Sequence, residues 1–211
     1  MSERVQVHEP FEAAPQQREA DLMGMYVFLA TEIMLFGGLC AVILIYRGLH
    51  PEEVVAASKK LHLWIGALNT VMLLTSSLAV AAAVQAARAA RSGLAARCLA
   101  GAALLGLLFL GLKAVEYHAE YQEGLLPILS QPPTFSSPAQ QLFMNLYLFA
   151  TFLHALHLTI GVALVAGLAW RLHRQSLPLP QRLMTVQVAG LYWHLVDIVW
   201  VFLYPILYLA R

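Results

Sequence analysis

Five stretches of the 211-residue sequence are continuously apolar over 20 residues or more: 24–46, 63–87, 98–117, 142–168 and 188–209. About 20 residues of helix cross the hydrocarbon of a bilayer. The intervening segments are polar or rich in turn formers. Residues 1–22 hold Glu3, Glu9, Glu12, Glu19 and Asp21 with Pro10 and Pro15, and read as a solvated tail. Residues 47–62 carry Pro51 and the pair Lys59-Lys60 and read as a turn-rich connection. Arg88, Arg91 and Arg97 mark a short basic loop. The longest connection, 118–141, has Pro127, Pro132, Pro133 and Pro138 and no Lys or Arg. Arg171, Arg174 and Arg182 mark the last. The pattern predicts an all-α membrane protein: a polar tail over 1–22, then one bundle of five transmembrane helices over 23–211. The alternating segments of about ten residues that build a membrane β-barrel are not visible.

Composition strengthens this picture. The chain is 60% hydrophobic and 12% charged, whereas soluble domains carry about 25% charged residues. The net charge of +1 gives no electrostatic case for a nucleic-acid partner. Cys40 and Cys98 sit in apolar surroundings without metal-ligand spacing and read as small core residues. Five spans place the termini on opposite faces. One face collects eight Lys/Arg and the other four, so the positive-inside rule predicts a cytoplasmic N-terminus and an outside C-terminus.

The spans are not wholly apolar, and the exceptions carry the candidate chemistry. The last contains Tyr192-Trp-His-Leu-Val-Asp-Ile-Val-Trp200, in which His194 and Asp197 share a helix face. Ionisable groups in hydrocarbon cost roughly 3 kcal/mol each and are expected to face protein or water rather than lipid. Counting about 1.5 Å per residue places Glu32, His154, His157, His194 and Asp197 between about 8 and 13 Å from the cytoplasmic end of their spans. The expectation is one polar layer, contributed by three helices, whose members satisfy one another. Four readings fit such a layer: a hydrogen-bond network holding the helices, proton transfer centred on Glu32, a metal bound by His154 and His157, or haem ligation by histidines. Helix-borne metal sites more often use Glu-x-x-His or His-x-x-x-His, so no metal site is predicted. Lys113 and Glu116, three apart near the outer end of the third span, read as an interfacial ion pair with a snorkelling lysine. Asn69 and Ser76, seven apart and with Gly66 on the same face, read as a polar helix-packing seam.

Five motifs then carry a resemblance: Phe28-Leu-Ala-Thr-Glu32, Leu68-Asn-Thr70, Lys113-Ala-Val-Glu116-Tyr117, His154-Ala-Leu-His157 and Tyr192–Trp200. Their order and spacing resemble subunit III of haem–copper oxidases, in the short five-helix bacterial form. The resemblance implies an accessory subunit with no catalytic residue and no redox centre of its own. Haem and copper would reside in partner subunits. It implies packing on subunit I, proximity to subunit II and a small subunit IV, bound phospholipid, support of proton uptake, and a bacterial inner membrane. Glu32 matches the family's intramembrane glutamate. One departure is Phe152, where the family usually has glycine; it leaves open a relative associated with nitric oxide reductase. An independent proton-coupled transporter is the remaining alternative, without an inverted repeat to favour it.

Overall fold

A computed structural model describes residues 14–126, 135, 137–179 and 182–209. Its secondary structure is helical throughout: α1 Ala14–Leu49, α2 Pro51–Ser58, α3 Leu63–Arg88, α4 Ser92–Gln122, α5 Pro138–His173 and α6 Leu183–Tyr208. Five of these are long and apolar enough to cross a membrane. α2 is not.

The helices outrun the expected spans. α1 starts at Ala14, inside the expected polar tail, because Gln16-Gln-Arg-Glu-Ala-Asp-Leu22 contains good helix formers and no breaker. α4 and α5 likewise extend beyond the expected 98–117 and 142–168. Ser137 begins α5: its hydroxyl accepts from the Ala139 amide, and Pro138 occupies the first turn. The basic loop shrinks to three residues, 89–91, in which Ala90 takes a left-handed φ of 55°. The expected turn-rich 47–62 segment contains a further correction, the helix α2. Pro51 sets its first turn and Glu52 and Glu53 complement the helix dipole. Three of its residues, Val54, Ala57 and Ser58, are buried, and Ser58 donates to the Leu207 carbonyl at 2.7 Å. Within the 118–141 connection, 127–134 and 136 lie outside the described residues; α4 runs on to Gln122 at its start and α5 begins at Pro138 near its end.

α3, α4, α5 and α6 pack on one another, and α1 leans on α6, α5 and α2. Burial ranks the helices: 61% of the apolar window of α6 is buried against 11% in α1. α6 is therefore the central helix and α1 the outlying one. Trp193, Trp200, Leu203, Leu207 and Tyr208 of α6 are fully enclosed. Exposed Met34, Leu78, Phe149 and Phe202 leave an apolar outer surface, as a bilayer requires.

Close approach is made by glycine. A Cβ at Gly106 would lie 2.7 Å from Val162 Cγ2 and 2.9 Å from the Trp193 ring. One at Gly66 would lie 2.7 Å from the Tyr204 ring. Gly106→Val should therefore force α4 away from α5 and α6 and cost about 1–3 kcal/mol. A lowered thermal unfolding midpoint for the solubilised protein checks this; an unchanged midpoint would show that the interface relaxes freely.

Candidate functional site

The five residues of the expected layer do not gather into a single site. Glu32 of α1 and His157 of α5 meet: Oε2 lies 3.0 Å from Nε2, with both side chains 14% exposed. The contact is close but not aligned as a linear hydrogen bond. His157 Nδ1 lies 2.8 Å from the Leu153 carbonyl. A carbonyl only accepts, so Nδ1 carries hydrogen. A neutral imidazole then presents a bare lone pair at Nε2, facing the Glu32 oxygen. The contact is attractive only with one further proton, on Nε2 or on the carboxyl. Glu32 and His157 thus face one another at ion-pair distance.

The pair lies in the wall of a cleft of about 950 Å³ between α1, α5 and α6. Ile160, Leu164 and Val188 give the cleft its apolar lining, while Asp21 and Arg171 also line it. Tyr192 closes the wall, donating to the His157 carbonyl at 3.0 Å with its ring 6.0 Å from Phe28.

The other three residues have separate surroundings. His154 points into the core. Its ring lies 5.1 Å from Trp200 and 5.7 Å from Phe109, and neither nitrogen has a hydrogen-bond partner among the described residues. Three residues advance a helix by about 300°, enough to put His157 on the cleft and His154 between α4 and α6. His194 Nδ1 pairs with Ser77 of α3 at 2.7 Å, and Asp197 is buried without an aligned partner on either oxygen. The expected mutual satisfaction of the five is therefore corrected: Glu32 and His157 meet, and the other three turn to other neighbours. Ser77, which pairs with His194, also lies within reach of the Asp197 carboxyl. Asp197→Asn should change stability by less than about 1 kcal/mol; a clear drop in the melting midpoint would show that the carboxylate has a structural role. Among the described residues no group of three or more His, Cys, Asp or Glu could hold a metal ion.

Asn69 and Ser76 of α3 are both buried. Ser76 receives the Trp193 Nε1 hydrogen at 3.1 Å, and neighbouring Thr70 receives that of Trp200 at 3.1 Å. The seam faces α6 and holds its two indoles. Asn69 itself has no side-chain hydrogen bond among the described residues.

Lys113 and Glu116 pair at 2.9 Å, but the snorkelling geometry is corrected. Lys113 is 2% and Glu116 0% exposed. Lys113 Nζ uses its three hydrogens on Glu116 Oε2, Tyr147 Oη at 2.8 Å and Tyr208 Oη at 2.6 Å. Tyr208 donates to Glu116 Oε1 and Tyr147 to Glu120 Oε1, each at 2.7 Å. The lysine is held inward because two phenols and a carboxylate take the place of water.

The sequence model of the family described as cytochrome c oxidase subunit III matches residues 16–210. The chain belongs to this family. It is a subunit III of a cytochrome c or quinol terminal oxidase. Cytochrome c oxidase subunit 3 of Thermostichus vulcanus is 30% identical over 188 residues, covering 89% of this chain and 86% of the relative. Quinol oxidase subunit 3 of Bacillus subtilis is 25% identical over 206 residues, covering 95% and 92%. The heme-copper oxidase subunit I+III of Aeropyrum pernix is 27% identical over 191 residues, covering 88% of this chain and 22% of that protein. As a subunit III, the chain is a multi-pass membrane component of a respiratory oxidase complex.

This subunit III also contains polar residues that inspection of separate motifs passes over: Glu120, Tyr147, Tyr208 and Thr151. Lys113, Glu116 and Glu120 follow the i, i+3, i+7 spacing of one helix face, which was the available signal for Glu120. Tyr147 and Tyr208 gave none, since a membrane tyrosine ordinarily reads as an interface anchor. Tyr117 donates to Thr151 at 2.7 Å beside the same cluster.

Proposed function

We propose that this chain is a non-catalytic subunit III that packs on subunit I of the oxidase, binds phospholipid, and supports proton uptake and the durability of subunit I in turnover. Redox chemistry belongs in this reading to haem and copper in the partner subunits, with subunit II and a small subunit IV completing the complex. The observation that carries it is the close contact of Glu32 with His157 in the wall of an apolar cleft. A titratable pair bordering a cleft suits proton storage better than rigid cohesion, since burial without water would leave it no means of exchange. The lining of apolar residues with Asp21 and Arg171 suits an acyl chain and a zwitterionic headgroup. The subunit I partnership is supported by the Aeropyrum pernix protein, named as subunits I and III together. The membrane in this reading is a bacterial inner membrane, with the N-terminus cytoplasmic, 1–22 a polar tail and 23–211 the membrane domain. Haem ligation and metal binding are not favoured, because the His154 ring is packed against Phe109 and Trp200 while His157 meets Glu32.

Glu32→Gln in the intact complex is the test. It should leave subunit stoichiometry unchanged and initial turnover within about twofold of wild type, less than about 0.5 kcal/mol of barrier. Activity should then decay faster during sustained turnover. Collapse of assembly, or decay at the wild-type rate, would assign Glu32 to structure alone. Native mass spectrometry of the same preparations reports phospholipid retained by the chain.

A further inference from the structure

We propose that Glu120 is a neutral carboxylic acid, a proton-holding site enclosed at the end of the bundle where α4 ends, α5 begins and α6 ends. The argument is charge balance in a closed space and stands independently of the function proposed for Glu32. Lys113, Glu116, Glu120, Tyr147 and Tyr208 are each no more than 2% exposed. The enclosure thus holds one ammonium and two carboxyl groups. Two carboxylates against one ammonium would leave a buried unpaired charge, which costs several kcal/mol. One proton held on a carboxyl group removes it.

The contacts say which carboxyl holds that proton. Both Glu116 oxygens are engaged: Oε2 with the Lys113 ammonium at 2.9 Å, Oε1 with Tyr208 at 2.7 Å. Glu120 has no ammonium. Its Oε1 accepts from Tyr147 at 2.7 Å, as an acid's carbonyl oxygen can, and its buried Oε2 has no partner among the described residues. An unpartnered carboxylate oxygen is far costlier to bury than an unpartnered acid hydroxyl. The charged and titratable groups around Glu120 are Lys113, Glu116 and Tyr117 of its own helix, Glu123 just past its end and Tyr147 of α5, with Tyr208 of α6 next to Tyr147. Lys113 is the one cation among them, and it is already satisfied. The site is separate from the Glu32–His157 pair: Tyr147 and His157 stand ten residues apart on α5, about 15 Å.

Infrared difference spectroscopy on the intact complex, isolated through a tag on this chain, tests the assignment in H2O and D2O. Wild type minus Glu120→Gln should show one protonated-carboxyl stretch that shifts in D2O; contributions from Asp197 and Glu32 cancel in the difference. Glu116→Gln should lose the same band, because Glu120 must then ionise to balance Lys113. Lys113→Gln combined with Glu116→Gln should keep it, because the enclosure then holds a lone acid. Glu120→Gln should accumulate to the wild-type level, as an amide replacing a neutral acid of the same shape. The proposal is overturned by a featureless first difference, by a band surviving Glu116→Gln, by a band lost in the double variant, or by failure of Glu120→Gln to accumulate. A bound sodium or potassium ion serving as counter-charge would give the featureless result.

Discussion

Lys113→Met is expected to remove this subunit III from the assembled oxidase. The side chains are similar in length, so volume is nearly preserved and the effect is electrostatic. The substitution leaves the Glu116 carboxyl, 0% exposed, without its ammonium partner and holding only the Tyr208 hydrogen bond. It also removes the donor on which Tyr147 and Tyr208 converge. Breaking a buried pair from one side typically costs about 3–5 kcal/mol, because the remaining charge has no solvent. That is a large share of the total stability of a typical domain. The measurement is the amount of this chain that co-purifies with its complex in mild detergent. Pairing the change with Glu116→Gln should recover most of the loss, since both charges then leave together. No recovery would mean that Lys113 acts through packing of its methylenes instead.

The second large effect is expected at Trp193. Its indole lies against Gly106 of α4 and Gly161 of α5, and its Nε1 donates to Ser76 of α3. One side chain therefore ties α6 to three helices. Trp193→Ala opens a cavity at that junction and should cost about 3–5 kcal/mol. The loss comes from contact and cavity more than from water exclusion, since lipid tails are as apolar as the core. Trp193→Phe keeps much of the contact and loses the indole hydrogen bond, for about 1 kcal/mol. Melting midpoints of the solubilised complex should fall in the order Ala, Phe, wild type from lowest to highest. Equal midpoints for Ala and wild type would remove α6 from its central place in this account.

Local composition made much of this protein legible. Long apolar runs between turn formers specify spanning helices because the bilayer interior leaves backbone groups no other partner. The order and spacing of Glu32, Asn69, Lys113-x-x-Glu116, His154-x-x-His157 and His194-x-x-Asp197 carried the family. Helix ends were less legible: nothing in the hydrocarbon width stops a helix, so α4 and α5 continue until turn formers intervene. α2 was hidden because eight residues opened by proline look like a turn until Val54 and Ala57 find a surface to cover.

Counting along a helix gives an ionisable residue an expected depth but not a partner, because a partner depends on helix rotation, set by packing between segments far apart in sequence. Rotation sends His157 to Glu32 and His154 to Trp200. It gives His194 to Ser77 and leaves Asp197 without an aligned partner. Rotation also turns Lys113 inward, where tyrosines from α5 and α6 replace the water it was expected to seek. The sequence by itself determined five spanning helices, the family and which residues had to be sheltered. Only the tertiary structure decided who shelters whom, because each hydrogen bond reaches about 3 Å and only the packed helices bring groups from separate spans that close.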